Sequence, residues 1–366
     1  MRIHRVARAI AALGHEVHVV AYHLGKPVSD EPFLIHRTPE VASYRMVDPG
    51  PSYRKLLVMD RLLARTLSDC LRHREFDLIH AHHYEGLLVA DRVRSGNVPI
   101  VFDAHTTLES ELPSYGLGLP GALKRWIGRS LDRRLPRRAD FTIAVTAEIR
   151  DRLVRVGGVA PDRIRVIGNG VDVKPFLAAR LPDREAGHET IIYAGSLAAY
   201  QRIDLLLRAF RRVRDVRPSA RLTIASEGSF APYETLATKL GVRSAVDLDA
   251  AGFDRLPGLL LAADVAVNPR VVCDGVSQKN LNYMAAGKPL VAFADAVEPF
   301  DPGESAISVA PGDWSAFGDA VVSLLESPDR ARRMGARARE KVMAELSWPI
   351  RARQIEAVYA RALSLD

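Results

Sequence analysis

Asp264-Val-Ala-Val-Asn-Pro-Arg-Val-Val-Cys-Asp-Gly-Val-Ser-Gln-Lys-Asn-Leu-Asn-Tyr-Met-Ala-Ala-Gly-Lys-Pro-Leu-Val-Ala-Phe293 reads as strand, turn, short helix and strand. The two apolar ends, 264–267 and 289–293, are short and carry no polar alternation, which is how strands covered on both faces read. Asp274-Gly275 marks a turn, Ser277 is an N-cap residue, and a helix over 278–286 stops at Gly287. Such a unit joins two parallel strands of an α/β sheet. The amino end of its helix offers free N–H groups and a partial positive charge, which suit a diphosphate.

The same pattern extends outward in both directions. Strands are expected over 17–21, 78–80, 100–102, 141–145 and 164–167, and again over 190–194 and 221–225, with helical spacing between most of them and strongly over 202–216. The turn-rich stretches Gly168-Asn-Gly-Val-Asp172 and Leu181-Pro-Asp-Arg-Glu-Ala-Gly187 separate the two series. At 366 residues the chain exceeds what one core holds, so two domains are expected. Their bounds are 1–172 and 173–345, and 346–366 is expected to be a helix crossing back to the first. Residue 1 falls directly on a helix, where a doubly wound unit normally opens with a strand and a Gly-rich turn. The first domain is therefore expected to lack its opening strand and turn.

Composition removes several classes. Two cysteines, Cys70 and Cys273, build no disulfide framework. No apolar run reaches the length of a membrane span, and Arg2, Arg5 and Arg8 interrupt any signal-like core. No G-x-G-x-x-G follows a strand, which disfavours a dehydrogenase. Residues 1–172 hold 26 Lys+Arg against 20 Asp+Glu, a net +6 of the total +7. Much of the excess lies in 123–138, where seven cations accompany Trp126, Ile127, Leu131 and Leu135 at helical spacing. That segment reads either as an interfacial helix for an anionic membrane surface or as a surface helix packing its own sheet.

Five stretches in order resemble family 4 retaining glycosyltransferases. The run 274–289 resembles that family's E-x7-E region and its E-A-M-A-x-G-x-P sequel, with Asp274 and Asn282 in place of the glutamates. Asp77-Leu-Ile-His-Ala-His-His-Tyr-Glu-Gly86 resembles D-V-V-H-A-H, and Val101-Phe-Asp-Ala-His105 the strand ending in the active-site histidine. Residues 166–172 resemble the I-P-N-G-V-D hinge, and 256–269 the L-P…A-A-D-V-x-V-x-P signature.

The resemblance implies a GT-B fold: two doubly wound, Rossmann-like α/β domains facing a cleft, the second holding a nucleotide sugar and the first the acceptor. It implies a cytoplasmic transferase for glycan biosynthesis, peripheral on the inner face of the membrane. A hexose or N-acetylhexosamine would pass, with retention, from a UDP- or GDP-linked donor to a glycan or lipid-linked acceptor. No metal, further cofactor or nucleic-acid partner is implied. His105 and Asp274 would be catalytic, with His82, Tyr84 and Thr106 on the acceptor side. The donor would meet Gly195, Ser196, Gln201, Arg202, Glu227, Gly228, Gly252 and Phe253, and then Gly275, Val276, Ser277, Gln278, Lys279 and Asn282.

The family's phosphate-gripping G-R-L-x-x-x-K-G reads Gly195-Ser-Leu-Ala-Ala-Tyr-Gln-Arg202 here. Ser196 replaces the arginine and Gln201 the lysine, so Arg202 and Lys279 are expected to supply the charge. Two alternatives follow: a catalytically impaired nucleotide-sugar binder, or a nucleotide-sugar epimerase of the same fold. His80, His82 and His83 suggest a metal site only weakly, since no Cys or carboxylate completes a recognisable spacing.

Overall fold

A computed structural model describes residues 2–25, 30–44, 55–94, 96–115, 118–179, 188–250, 252, 254–273 and 276–364. The chain divides into two units, 1–168 with 348–366, and 169–347.

In the first unit, β1 (His18–Ala21) and β2 (Leu34–Arg37) form a parallel pair. A separate parallel sheet holds β3 (Ile79–His82), β4 (Ile100–Ala104), β5 (Phe141–Ala144) and β6 (Ile164–Val166), in that spatial order. β1 and β3 are not hydrogen-bonded to each other, so the sheet is interrupted between them. β4 and β5 are buried along their whole length, in keeping with their mainly apolar sequence, with Asp103 and Thr142 as buried polar exceptions. The last helix, Trp348–Leu363, lays Ile355 and Val358 against Val6, Val101 and Phe141. It belongs to the first unit, although unit 2 precedes it in the chain.

The second unit carries β7 (Thr190–Ala194), β8 (Arg221–Ala225), β9 (Val246–Asp249), β10 (Val265–Asn268), β11 (Leu290–Phe293) and β12 (Ala306–Val309). They form one parallel sheet of order β12-β11-β10-β7-β8-β9. The helix Ile203–Val216 shows why the unit closes. Ile203, Leu206, Phe210 and Val213 recur at helical spacing and are all buried. Fully burying a side chain such as Phe210 is worth about 1.5–3 kcal/mol.

In this order the chain reverses direction between β7 and β10. The loops leaving those two strands at their carboxyl ends open a crevice, the usual ligand seat of such sheets. The quoted stretch supplies β10, β11 and the helix Gln278–Ala285 between them. Gly287, at φ +65, closes that helix in the left-handed region that suits glycine.

Candidate functional site

The loop after β7 and the helix Gln278–Ala285 meet around one cation. Lys279 Nζ donates to Gln201 Oε1 at 2.7 Å and to the Tyr193 hydroxyl at 3.0 Å, and lies 4.3 Å from the Tyr193 ring centre. A Cβ on Gly195 would stand 3.1 Å from Lys279 Cε, so the loop approaches this closely because residue 195 has no side chain. Burial, reinforced by the nearby charge of Arg270, pushes the Lys279 ammonium down to about 7. At a helix amino end and beside a second cation, this lysine would hold its proton more tightly once an anion binds there.

The helix that carries Lys279 is firmly seated. Asn280 is fully buried and donates to the carbonyls of Ala296 and Glu298, while the Ala194 N–H donates to the Tyr283 hydroxyl at 2.8 Å. Asn282 is buried on the same helix. Ser277 occupies the N-cap position without a capping side-chain bond, and Gln278 reaches the Gly170 carbonyl. Ser196 is exposed, and its carbonyl accepts from the Tyr193 hydroxyl. Glu227 and Gly228 are exposed after β8, the latter close to Leu197 of the β7 loop. Gly252 is exposed after β9 and Val276 half-buried after β10. Asp274, Gly275 and Phe253 lie outside the described residues.

The structure redirects Arg202. Its backbone is left-handed at φ 56, and its guanidinium bonds both oxygens of Asp204, at 3.0 and 2.9 Å. The cation that contacts Gln201 is Lys279, from a different element.

In the first unit, the carboxyl ends of β3 and β4 gather His80, His82, His83, Asp103 and His105. Asp103 is fully buried. Burial works to raise its pKa, but bonds from His80 and His82 and the charge of Arg2 overcome this and hold it well below the carboxylate range. Arg2 Nε reaches Asp103 Oδ2 at 2.9 Å. His105 Nε2 sits 3.3 Å from His82 Nδ1 and 3.7 Å from Asp103 Oδ1. Burial outweighs the pull of Asp103, and the neighbouring His83, His82 and Arg2 add to it, so His105 titrates only near 2. His82 falls to about 4, again mainly through burial. Both imidazoles are neutral at ordinary pH. His83 has φ 58, unusual for a non-glycine residue, and its ring centre stands 3.9 Å from that of His105.

Two expectations change here. Tyr84 is buried and donates to Asp132 at 2.5 Å, so it ties the helix His83–Val93 to the core rather than facing an acceptor. Thr106 remains partly exposed beside Ser110. The histidine cluster does acquire a carboxylate: ligand atoms of His80, His82 and Asp103 lie within 4.8 Å of one another. The cation facing that carboxylate is Arg2. Sequence reading missed Arg2, Asp103 as a hub, and Arg270, which directly follows the Asn268-Pro269 end of β10. No spacing rule links residues 2 and 103.

Residues 1–174 match the family model of Glycosyltransferase Family 4, and 188–327 that of Glycosyl transferases group 1. The sequence is 26% identical over 398 residues to the MMP alpha-(1->4)-mannosyltransferase of Mycolicibacterium hassiacum, covering 99% of this chain and 94% of the relative. It is 27% identical over 386 residues to a glycogen synthase of Mycobacterium tuberculosis, covering 98% and 90%. Among solved structures, a sucrose-phosphate synthase from Thermosynechococcus elongatus matches with TM-score 0.77 at 19% identity, over 100% of this chain and 93% of that one. Anabaena HepE in complex with UDP matches with TM-score 0.70 at 15% identity, over 94% and 100%. With strand order, switch-point loops and two family matches in agreement, the chain belongs to glycosyltransferase family 4, has the GT-B fold and is a glycosyltransferase.

Proposed function

We propose that this enzyme transfers a hexose or N-acetylhexosamine, with retention and without a metal, from a UDP- or GDP-linked donor to a glycan or lipid-linked acceptor. The observation that carries the reading is Lys279, held by Gln201 and Tyr193 against Gly195 at the switch point. An ammonium and helix-end amides there neutralise a departing diphosphate, the task a metal performs elsewhere. Ser277 and Ser196 add hydroxyls, and Asn282 takes the ribose. Asp274 holds the donor sugar's hydroxyls. In the other unit a neutral His105 orients and polarises, with His82 and Thr106 towards the acceptor. The leaving phosphate oxygen takes the acceptor's proton, so the protein's share is positioning and charge stabilisation. Lys279 also weakens the alternative of a silent binder, because it returns a cation to the position that Gln201 emptied.

The enzyme works on the cytoplasmic face of an anionic membrane. The helix Gly121–Asp132 supports this: Leu131 packs towards the core, while Trp126 is 66% and Leu123 40% exposed among Arg125 and Arg129. No helix among the described residues is long and apolar enough to cross a membrane.

Thermal unfolding with a panel of nucleotide sugars tests the donor assignment. A true donor at 100 times its dissociation constant adds about 2.7 kcal/mol. Its product, read by anomeric NMR, should keep the donor's configuration; an epimerised free nucleotide sugar would overturn the transferase reading. Asp274→Ala should abolish turnover with the fold intact, whereas Glu304→Ala should not. Full activity in Asp274→Ala would show that the motif is misaligned.

A further inference from the structure

The loops leaving β7 and β10 bring a second cation beside Lys279. Arg270 follows β10 after the buried Pro269. Its Nε donates to the Val272 carbonyl at 2.6 Å, and its guanidinium carbon lies 5.0 Å from the centre of the Tyr200 ring. Tyr200 stands in the turn Ala199–Gln201, directly before the residue that receives a hydrogen bond from Lys279.

Elsewhere in this unit the arginines commonly carry a counter-charge: Arg202, Arg212, Arg217, Arg221, Arg243 and Arg255 each pair with an Asp or Glu. Among the described residues, neither Arg270 nor Lys279 meets a carboxylate, and the two terminal nitrogens of Arg270 have no acceptor. The two cations feel each other, since the charge of Arg270 adds to burial in lowering Lys279. Like charges placed together cost free energy, and an anion bound between them offsets it.

We propose that Arg270 is a further donor-binding residue, whose guanidinium takes the donor's diphosphate from the β10 side while Lys279 takes it from the helix. Tyr200 is the positioning residue that holds the guanidinium in place. This rests on the reading of Lys279 as a diphosphate ligand.

The chemistry of the two cations is complementary. Lys279 titrates near 7, so alone it brings only part of a charge at neutral pH. A guanidinium stays charged throughout that range and offers N–H donors in a fixed plane. Held against an aromatic face, it is immobilised without losing those donors. With Nε taken by Val272, the terminal nitrogens remain as a fork. A diphosphate carries oxygens on two phosphorus atoms, so it accepts a fork and a point donor together.

The supporting loops are anchored. Leu197 and Val271 pack on the core of this unit, one beside each cation's loop, and the Leu197 carbonyl accepts from the Tyr233 hydroxyl. The Tyr200 ring itself is 57% exposed, so it adds little to that core. Its hydroxyl bonds the side chains of Ser196 and Gln201. A continuous line of contacts therefore runs from Arg270 through Tyr200 and Gln201 to Lys279.

Calorimetry of the full chain with UDP, GDP and the matching nucleosides tests this. Failure of the wild type to bind either diphosphate would overturn the reading of Lys279, and this proposal with it. Arg270→Gln should weaken the diphosphate that binds by about tenfold to a hundredfold and leave the nucleoside unchanged. Arg270→Lys should recover only part of the loss, because an ammonium has no fork. Tyr200→Leu should weaken the diphosphate by about threefold to tenfold, Tyr200→Phe should regain it, and Tyr200→Leu should cost nothing further in the Arg270→Gln background. Should Arg270→Gln fail to fold, Tyr200→Leu decides, since it leaves the arginine in place. Wild-type diphosphate affinity in a folded Arg270→Gln overturns the proposal and spares the reading of Lys279. Equal weakening of nucleoside and diphosphate overturns it too, as does a loss confined to a UDP-hexuronic acid, which would give Arg270 to a sugar carboxylate. A full Tyr200→Leu loss in the Arg270→Gln background overturns the positioning role.

Discussion

Lys279 sits near 7 in the folded chain, against about 10.4 for an unfolded lysine. Between those values the unfolded chain holds a proton that the folded chain lacks, so this residue makes stability rise with pH across that window. Binding of a diphosphate works the other way, because the anion favours the ammonium. UDP affinity should therefore weaken as pH climbs above about 7, and calorimetry at pH 8 in buffers of differing ionisation enthalpy should report proton uptake. Lys279→Met should weaken UDP binding and abolish the uptake; unchanged uptake would place the titrating group elsewhere. His105 is the complementary case, neutral throughout. His105→Ala should cut kcat by about 10²–10³-fold, the usual loss for one positioned donor, with UDP affinity intact. Since it titrates near 2, the wild-type kcat profile should show no limb from this histidine between pH 5 and 8. A collapse of UDP affinity in His105→Ala would assign the residue to packing. Both residues are legible in sequence, one at a strand end and one at a helix start. Arg2 and Arg270 are not, because their partners are chosen by the fold rather than by spacing.

The helix Gln278–Ala285 depends on a neighbour that no motif mentions. Gly335, in the helix Pro328–Lys341, packs its backbone directly on the carbonyl of Gly287. Gly335→Ala should cost about 1–3 kcal/mol through overpacking and should loosen UDP binding as the Lys279 helix shifts. Chemical denaturation with and without UDP measures both; a fully stable variant with normal affinity would mean that the contact yields easily. The basic helix divides the stripe read from its sequence: Leu131 and Leu135 face the core, Trp126 faces out. Vesicles of anionic lipid should bind the protein, and salt should release it, because exposed charges are screened beyond about 8 Å at physiological ionic strength. Changing Arg125, Arg129 and Arg133 to Ser should abolish this binding. Arg137 is better left alone, since its Nε donates to the Gly157 carbonyl at 2.6 Å. Undiminished binding of the triple variant would make the patch ordinary surface. Strands covered on both faces were readable from their apolar runs. β2, β9 and β12 were not, because each lies at a sheet edge and mixes polar residues into four positions.

At the scale of the molecule, the division into two units follows from the restarting strand pattern, and its inner border falls at Gly168–Asn169. The first unit, however, is assembled from both ends of the chain, and its core includes Trp348, Ile355 and Val358. Ending the chain at Ser347 should leave that core open, so limited proteolysis should digest 1–168 while sparing 169–347. Equal resistance of both would show that the last helix is dispensable.

That arrangement also has a consequence for biosynthesis. A ribosome makes residues 1–168 first, yet the helix that closes their core emerges only after all of 169–347 has been translated. At about 5–20 residues per second, the earlier segment waits roughly 10–35 s with Val6, Val101 and Phe141 unsheltered. The half that is born first is completed last. During that interval it is the part of the nascent chain that chaperones would be expected to hold.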